Sequence, residues 1–429
     1  PSNSYIYLYG NMDMTEKLDF IDRHYLSAFD SLDVDSEIRE QKTFDAMQDL
    51  TKEYPVAESE SEEDNAYLSY NVVVGTAMDS LTAIAFEVLD YALLSAPGAP
   101  LKKALLDAGI GKDIYGAYED GIRQPYFDII AKGANADKKE EFVSIIRDVL
   151  QKVAETGIDR KALDAGINSM EFRYREADFS SYPKGLIYGL DILGNWLYDD
   201  EHPQVELIPV FEKLKSLKNT GYFEELIRKY LLDNPHGSVL TLMPSRGLAA
   251  RKAKALEEKL AAYLGECTEE ERQEMVKRTS ALEAYQEAEE DPEAAKCIPM
   301  LKREDIRKSA DKFYNEELDV DGSLFLYHEV STNGIAYLDL MFDLKNLAPD
   351  KVPYLGLLKS VLGYVDTAHY TYGELSNEIN AETGGIACGV EVFDRADSVD
   401  EYRAFFGVKG KVMYPKMDVI FRMIREILN

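Results

Sequence analysis

Five histidines, His24, His202, His236, His328 and His369, are the imidazoles from which a catalytic metal site would have to be drawn. A hydrolytic zinc needs three protein ligands in fixed geometry around an open position. His328-Glu329 is followed by Val330-Ser331-Thr332, so the pattern of two histidines one helical turn apart is absent. No His-x-x-Glu-His occurs either. His328 falls in a strand-like run, where neighbours point to opposite faces and cannot share a ligand. No metal ligand and no catalytic residue is therefore expected in this chain. Gly384-Gly385 and Gly109-x-Gly111 follow helical patterns instead of opening them, so helix-end amides are not aimed at a phosphate. No serine or cysteine has the flanking pattern of an activated nucleophile. The run Glu58-Ser59-Glu60-Ser61-Glu62-Glu63-Asp64 carries five carboxylates in seven residues. These repel one another and read as a solvated linker, with no glycine turn to shape a calcium loop.

One stretch has binding chemistry of a different kind. Ile114-Tyr115-Gly116-Ala117 reads as a short strand interrupted by glycine, and Ile386-Ala387-Cys388-Gly389-Val390 repeats that character. Glycine in a strand marks close approach by another backbone. An exposed edge there could accept an extended peptide as an added strand. An ordinary buried strand with a bulge accounts for the same residues, and the two readings stay open. Trp196, in Gly194-Asn195-Trp196-Leu197-Tyr198, reads as a core or helix-packing residue.

The elements that must position these residues recur out of phase. Ala66-Tyr67-Leu68-Ser69-Tyr70-Asn71-Val72 and Ala336-Tyr337-Leu338-Asp339-Leu340-Met341-Phe342 open two similar runs, 270 residues apart. Each leads to an apolar helix, a helix stopped by glycine, a short glycine-containing strand, an aromatic strand and an amphipathic helix. Ser4-Tyr5-Ile6-Tyr7-Leu8-Tyr9 resembles Ser238-Val239-Leu240-Thr241-Leu242-Met243, which closes the unit begun near Ala66. The aromatic and β-branched run at 5–9 predicts a strand. Asp13 then caps a helix whose face carries Leu18, Ile21, Tyr25, Leu26 and Phe29. Weak helical patterning follows over 37–50. Asp137 with Glu140 predicts a capping pair for a helix striped by Phe142, Ile145, Ile146, Val149, Leu150 and Val153 and ended by Gly157. The segment 245–310 is rich in Ala, Glu, Lys and Arg. Gly265 is expected to break it, and Thr268 with Glu271 to cap a second arm, so a helical hairpin is predicted. The fold class is α+β: repeated α/β units, each an antiparallel-rich sheet covered by helices, joined by that hairpin.

Composition bounds the partners. The chain of 429 residues carries 79 acidic and 48 basic side chains, a formal charge of −31. Such a field repels nucleic acid and anionic membrane, so neither is expected as a partner. It attracts cationic ligands, although solubility alone explains an acidic surface. No purely apolar run reaches the ~20 residues of a bilayer span. Cys267, Cys297 and Cys388 are odd in number and lack CxxC spacing, which points to reduced thiols and a cytoplasmic location.

Further residues carry a family resemblance. The run 101–111 is followed by Ile122-Arg123-Gln124-Pro125-Tyr126-Phe127, then Ile158-Asp159 and Met170-Glu171-Phe172-Arg173, then Gly194 through Asp199-Asp200. Together with Pro1-Ser2-Asn3 and Thr332-Asn333-Gly334-Ile335-Ala336-Tyr337-Leu338, this ordered set resembles the insulinase/pitrilysin zinc metallopeptidases, in their presequence-protease (falcilysin-like) branch. The resemblance implies four homologous α/β units in two halves that close around a chamber where unfolded peptides are cut. It implies that 1–32 ends the catalytic unit and that 33–64 is a linker, helical then acidic. It further implies that 65–244 is a complete second unit, 245–310 the connecting hairpin and 311–429 the first part of a third unit. The family's zinc motif, catalytic glutamate and distal glutamate ligand have no counterpart here. Its substrate-clamping tyrosine and arginine would lie beyond Asn429. Zinc is thus expected in the parent protein and no cofactor in this chain. The expected partners are unfolded peptides and the catalytic and C-terminal units of the same parent. In relatives the second unit supplies an exosite strand that holds the substrate, and by position this corresponds to Ile114, Tyr115, Gly116 and Ala117. The competing reading is a catalytically inactive scaffold built on the same repeat.

Overall fold

The computed structural model describes residues 1–198, 207–289, 292–296, 298, 300–309, 312, 314–395 and 397–429. Asp199-Asp200, His202 and Cys297 lie outside the described residues. The chain divides into two compact units, one of 1–54, 61–244 and 332–429, the other of 55–60 and 245–331.

In the first unit, helix α1 (Met14–His24) is capped by Asp13, whose Oδ1 accepts from the Glu16 N–H at 3.1 Å. Its apolar stripe buries nothing: Leu18, Phe20, Tyr25 and Phe29 stay exposed. A six-stranded sheet follows, built from β1 (Gln48–Val56), β2 (Ala66–Val73), β3 (Asp113–Tyr115), β4 (Tyr118–Glu119), β5 (Tyr126–Ala134) and β6 (Gly237–Arg246). The strand order is β1-β6-β2-β5-β3, with β4 also on β5. Pairing of β5 with β2, β3 and β4, and of β2 with β6, is antiparallel. Period-two alternation sends Leu68, Tyr70 and Val72 of β2 and Phe127, Ile129 and Ala131 of β5 into one core. Helices cover that face: α2 (Ser80–Asp90), α3 (Pro100–Asp107), α4 (Lys139–Thr156), α5 (Arg160–Glu176), α6 (Lys184–Trp196), α7 (Ile208–Leu217) and α8 (Tyr222–Leu226). Burying such side chains at ~25 cal/mol per Å² supplies most of the driving force. The buried Tyr70 hydroxyl is satisfied by the Leu231 carbonyl at 2.9 Å.

Ser80–Asp107 is long and apolar enough, by composition alone, to cross a bilayer. It instead contributes Phe86, Leu89, Leu93, Leu101 and Leu105 to the core, and the helix breaks at Ala96 before restarting with Pro100 at its first turn. Helix α4 buries Phe142, Ile146 and Leu150 and half-buries Ile145, Val149 and Val153. The predicted Asp137–Glu140 cap does not form, because a 3₁₀ turn over Ala136–Lys138 leads into α4. Gly157 ends α4 at φ +91°, and Asp159 caps α5 by accepting from the Lys161 N–H at 2.9 Å.

Two expectations near the N-terminus fail. Residues 4–9 are extended but belong to no sheet. Their rings lie along α6: Tyr9 over Gly185, Tyr7 over Gly189 (an added Cβ would come within 2.8 Å of the ring), and Tyr5 edge-on to Trp196 at 4.8 Å. A strand pattern supplies no hydrogen-bonding neighbour by itself, and here a glycine-floored helix face takes the tyrosines. The weak helix expected over 37–50 is absent. Its end becomes β1, because pairing with β6 outweighs a marginal helical preference.

The second unit contains α9 (Leu248–Glu266) and α10 (Glu269–Glu287), joined through Cys267 and Thr268. The Thr268–Glu271 capping box forms in both directions. Gly265 does not break α9; one glycine costs a helix only ~1 kcal/mol, and the chain turns where the next cap forms. Leu248 is the one buried side chain of the pair. A short helix α11 (Pro292–Ala295) precedes the hairpin of β7 (Glu316–Val320) and β8 (Ser323–Tyr327). Asp321 (φ +51°) and Gly322 (φ +83°) make its two-residue turn.

The first unit resumes with β9 (Ile335–Asp343), α12 (Val352–Val361), α13 (Tyr372–Glu382), β10 (Ile386–Asp394), β11 (Tyr402–Met413) and α14 (Met417–Leu428). The sheet order β9-β11-β10 is antiparallel throughout and follows the same chain logic as β2-β5-β3. Phe406, Val408 and Val412 pack on Ile420 and Ile424 of α14. Helix α5 meets α13, where Asn168 Nδ2 donates to the carbonyls of Asn380 (2.6 Å) and Thr383 (2.9 Å). Glu176 accepts from the Tyr337 hydroxyl at 2.8 Å and pairs with Lys411.

Candidate peptide-binding edge

The four residues singled out in the sequence sit at the end of the six-stranded sheet. Strand β3 pairs with β5 in the register Asp113↔Lys132, Ile114↔Ala131, Tyr115↔Ile130, and no strand is bonded to its other side among the described residues. Ile114 is fully buried in the core, whereas Tyr115 is exposed. A Cβ on Gly116 would collide with the Asp128 carbonyl oxygen and come within 2.7 Å of Leu94 Cδ1. The close backbone approach that the glycine signalled is thus made by β5 of the same sheet. Ala117 completes the contact: its N–H donates to Asp128 Oδ1 (2.9 Å) and its carbonyl accepts from the Asp128 N–H (3.0 Å).

The outer edge is partly occupied by its own side chain. Asp113 Oδ1 accepts from the Ile114 N–H at 2.9 Å and from Lys102 Nζ at 3.3 Å. An incoming strand would displace an exposed carboxylate, a smaller cost than breaking a ladder bond.

Carboxylates gather behind this edge. Burial pushes the Asp128 carboxyl up; the bond from Ala117 opposes this and Glu119 adds to it. Burial also raises Asp90, at the end of α2, to about 6, against the Ser95 hydroxyl. Glu87 reaches about 7 through burial and the charge of Asp120, with Arg173 opposing. Asp90 Oδ1 and the Tyr118 hydroxyl are buried without a hydrogen bond among the described residues. None of these acids stood out in the sequence. The available signal was a charge inside an apolar strand, Phe127-Asp128-Ile129-Ile130.

The histidines do not converge. His24 lies on Phe20, and the buried His236 on Phe44. His328 Nδ1 is 3.1 Å from the Tyr314 carbonyl, just past β8, and His369 pairs with Glu426 at 2.9 Å. Among the described residues no three His, Cys, Asp or Glu side chains are placed to hold a metal ion. The residues present do not fit a zinc site. Burial raises the Cys388 thiol, the opposite of nucleophile activation. A cavity of about 280 Å³ lined by Leu93, Ala96, Pro97, Val153, Ile158 and Asn377 is apolar and offers no reacting pair.

Comparison with known proteins follows the same line. Residues 1–170 match the family described as "Peptidase M16 inactive domain". Residues 242–429 match the family of segments associated with M16 peptidases of subfamily C. Protein HypA of Clostridium perfringens is 39% identical over 430 residues, covering 100% of this chain and 44% of its own length. Presequence protease 1, chloroplastic/mitochondrial, of Arabidopsis thaliana is 30% identical over 446 residues, covering 100% of this chain and 40% of its own. Among solved structures, pitrilysin matches 98% of this chain and 42% of its own at 13% identity, with a TM-score of 0.48. The chain therefore spans less than half the length of the curated relatives it matches. It belongs to the insulinase/pitrilysin (M16) peptidase family, as a part of that family's inactive, non-catalytic portion.

Proposed function

We propose that this chain is the non-catalytic middle of a zinc-dependent endopeptidase that degrades short unfolded peptides in a closed chamber. It contributes chamber wall, hinge and a peptide exosite at Ile114, Tyr115, Gly116 and Ala117. The observation that carries the exosite is the sheet-end position of β3, with its outer backbone unpaired by any strand among the described residues. In this reading 65–244 and 311–429 are two copies of one unit, a reading supported by the shared order β2-β5-β3 and β9-β11-β10. Segment 1–32 ends the catalytic unit and 245–310 joins the halves. The zinc and its general base reside in the parent protein, where the metal would activate the attacking water. The unpaired thiols of Cys267 and Cys388 suit a reducing, cytoplasmic compartment.

The edge alone binds weakly. A few strand hydrogen bonds net about 0.5–1.5 kcal/mol each, and ordering the peptide offsets much of that. Affinity in the range of roughly 100 µM to 1 mM follows. The test is titration of an unstructured fluorescent peptide with this chain, alongside zinc content and cleavage of a quenched peptide. Saturable weak binding without metal or hydrolysis is expected. Cleavage abolished by a chelator would overturn the claim that the catalytic ligands lie elsewhere, and absence of binding would overturn the exosite.

A further inference from the structure

The exosite reading leaves one group unexplained. Asp128 is 8% exposed, in mid-strand, with both sequence neighbours in the apolar core. Burying an ionised carboxylate without a counter-ion is costly, so such groups are paired, neutralised or waiting for a partner. Asp128 Oδ1 is held by the Ala117 N–H, which fixes the carboxylate plane against the exosite segment. Its other oxygen receives no hydrogen bond among the described residues, yet it is not sealed from solvent as Asp90 Oδ1 is. Nearby donors are engaged elsewhere. Asn71, opposite Asp128 in β2, sends its amide to Ser238 and its oxygen accepts from Ser69. Lys102 pairs with Asp113, and Lys112 reaches Asp64.

Resting on the exosite reading, we infer that Asp128 is its specificity anchor: the free oxygen Oδ2 receives a cationic group of the bound peptide. That cation is a lysine or arginine side chain or the terminal ammonium. Its surroundings favour this assignment. Asp90 from α2, Asp113 from β3 and Glu119 from β4 add negative potential. Tyr115 and Tyr126 border it with phenols that burial holds above their ordinary range, so they stay neutral at pH 7.5. Lys132, four residues along β5, is the remaining base on its own strand. The net charge of −31 adds long-range attraction of the same sign. Burial raises the Asp128 carboxyl, so the site holds a cation only above that raised value and releases it in acid.

The test uses the full chain and four C-terminally labelled Gly/Ser/Ala peptides. One is N-acetylated without lysine or arginine, one has a free terminus, one is acetylated with a single lysine and one is acetylated with a single arginine. At low salt and pH 7.5, one or more of the cationic peptides is expected to bind roughly tenfold tighter than the neutral one, and the arm that gains identifies the source. Asp128→Asn, which keeps an acceptor for Ala117, should erase that difference and leave the neutral peptide's affinity unchanged. On the unmutated chain the difference should also vanish at pH 4, a measurement independent of the variant's folding. Equal binding of all four peptides, or discrimination that survives in Asp128→Asn, overturns the anchor and leaves the exosite standing. Failure of every peptide to bind overturns both.

Discussion

Glu87 shows how a single buried acid ties stability to pH. Its carboxyl is raised from the ordinary value of 4.5 to about 7, chiefly by burial and then by Asp120. The folded state therefore holds a proton that the unfolded chain releases. Stability is greatest below the ordinary value and falls as pH rises from about 4.5 to about 7. Glu87→Gln keeps the shape and removes the charge. It is expected to raise the melting temperature at pH 8, by up to ~3 kcal/mol in stability, and to have no effect at pH 4. Thermal melts across that range check it, and an equal effect at both ends counts against the assignment. Glu171 has the opposite environment. Burial pushes its carboxyl up, but bonds from Lys215 (2.6 Å) and Arg175 (2.7 Å) outweigh this and hold it below the ordinary range.

At the scale of elements, two glycines in equivalent edge strands separate packing from composition. Gly116 has no room for a side chain, whereas nothing lies within 4 Å of a Cβ on Gly389. Gly116→Val should cost about 2–4 kcal/mol by forcing β3 from β5, and Gly389→Ala should stay within about 0.5 kcal/mol. Denaturant titration of both variants distinguishes steric approach from generic loss of glycine. Helix α10 depends on local signals, since it buries no residue. Thr268→Ala removes its capping box and should cost the helix about 1 kcal/mol. Faster amide exchange confined to its first turns is the expected readout; exchange spreading through the six-stranded sheet would contradict it.

For the molecule as a whole, the contact of α5 with α13 decides whether the two sheets of the first unit unfold together. A Cβ at Gly384 would come within 2.6 Å of the Phe172 ring and 2.7 Å of Lys411. The Asn168 and Glu176 bonds span the same contact. Gly384→Leu is expected to wedge it apart and to split one calorimetric transition into two. A single transition at unchanged temperature would show that the sheets are coupled by other means. The acids behind β3 bear on the same scale, because they concentrate the chain's negative charge at the edge assigned to peptide.

Local chemistry determined what the sequence could state alone. Helix α4 follows from the spacing of Phe142, Ile146 and Leu150, and the caps at Asp13, Asp159 and Thr268 satisfy amides two or three residues away. The absence of a zinc motif is likewise a matter of spacing. Tertiary structure decided where a pattern needs a distant partner. Residues 4–9 have strand character but settle on the glycines of α6, and β1 exists because β6 lies beside it. The glycine of Ile114-Tyr115-Gly116-Ala117 announced a close approach, yet only the folded sheet identified Asp128 as its source. Hydrogen bonds and buried charges are settled by neighbours remote in the chain, and a one-dimensional pattern records the demand for such a neighbour without naming it.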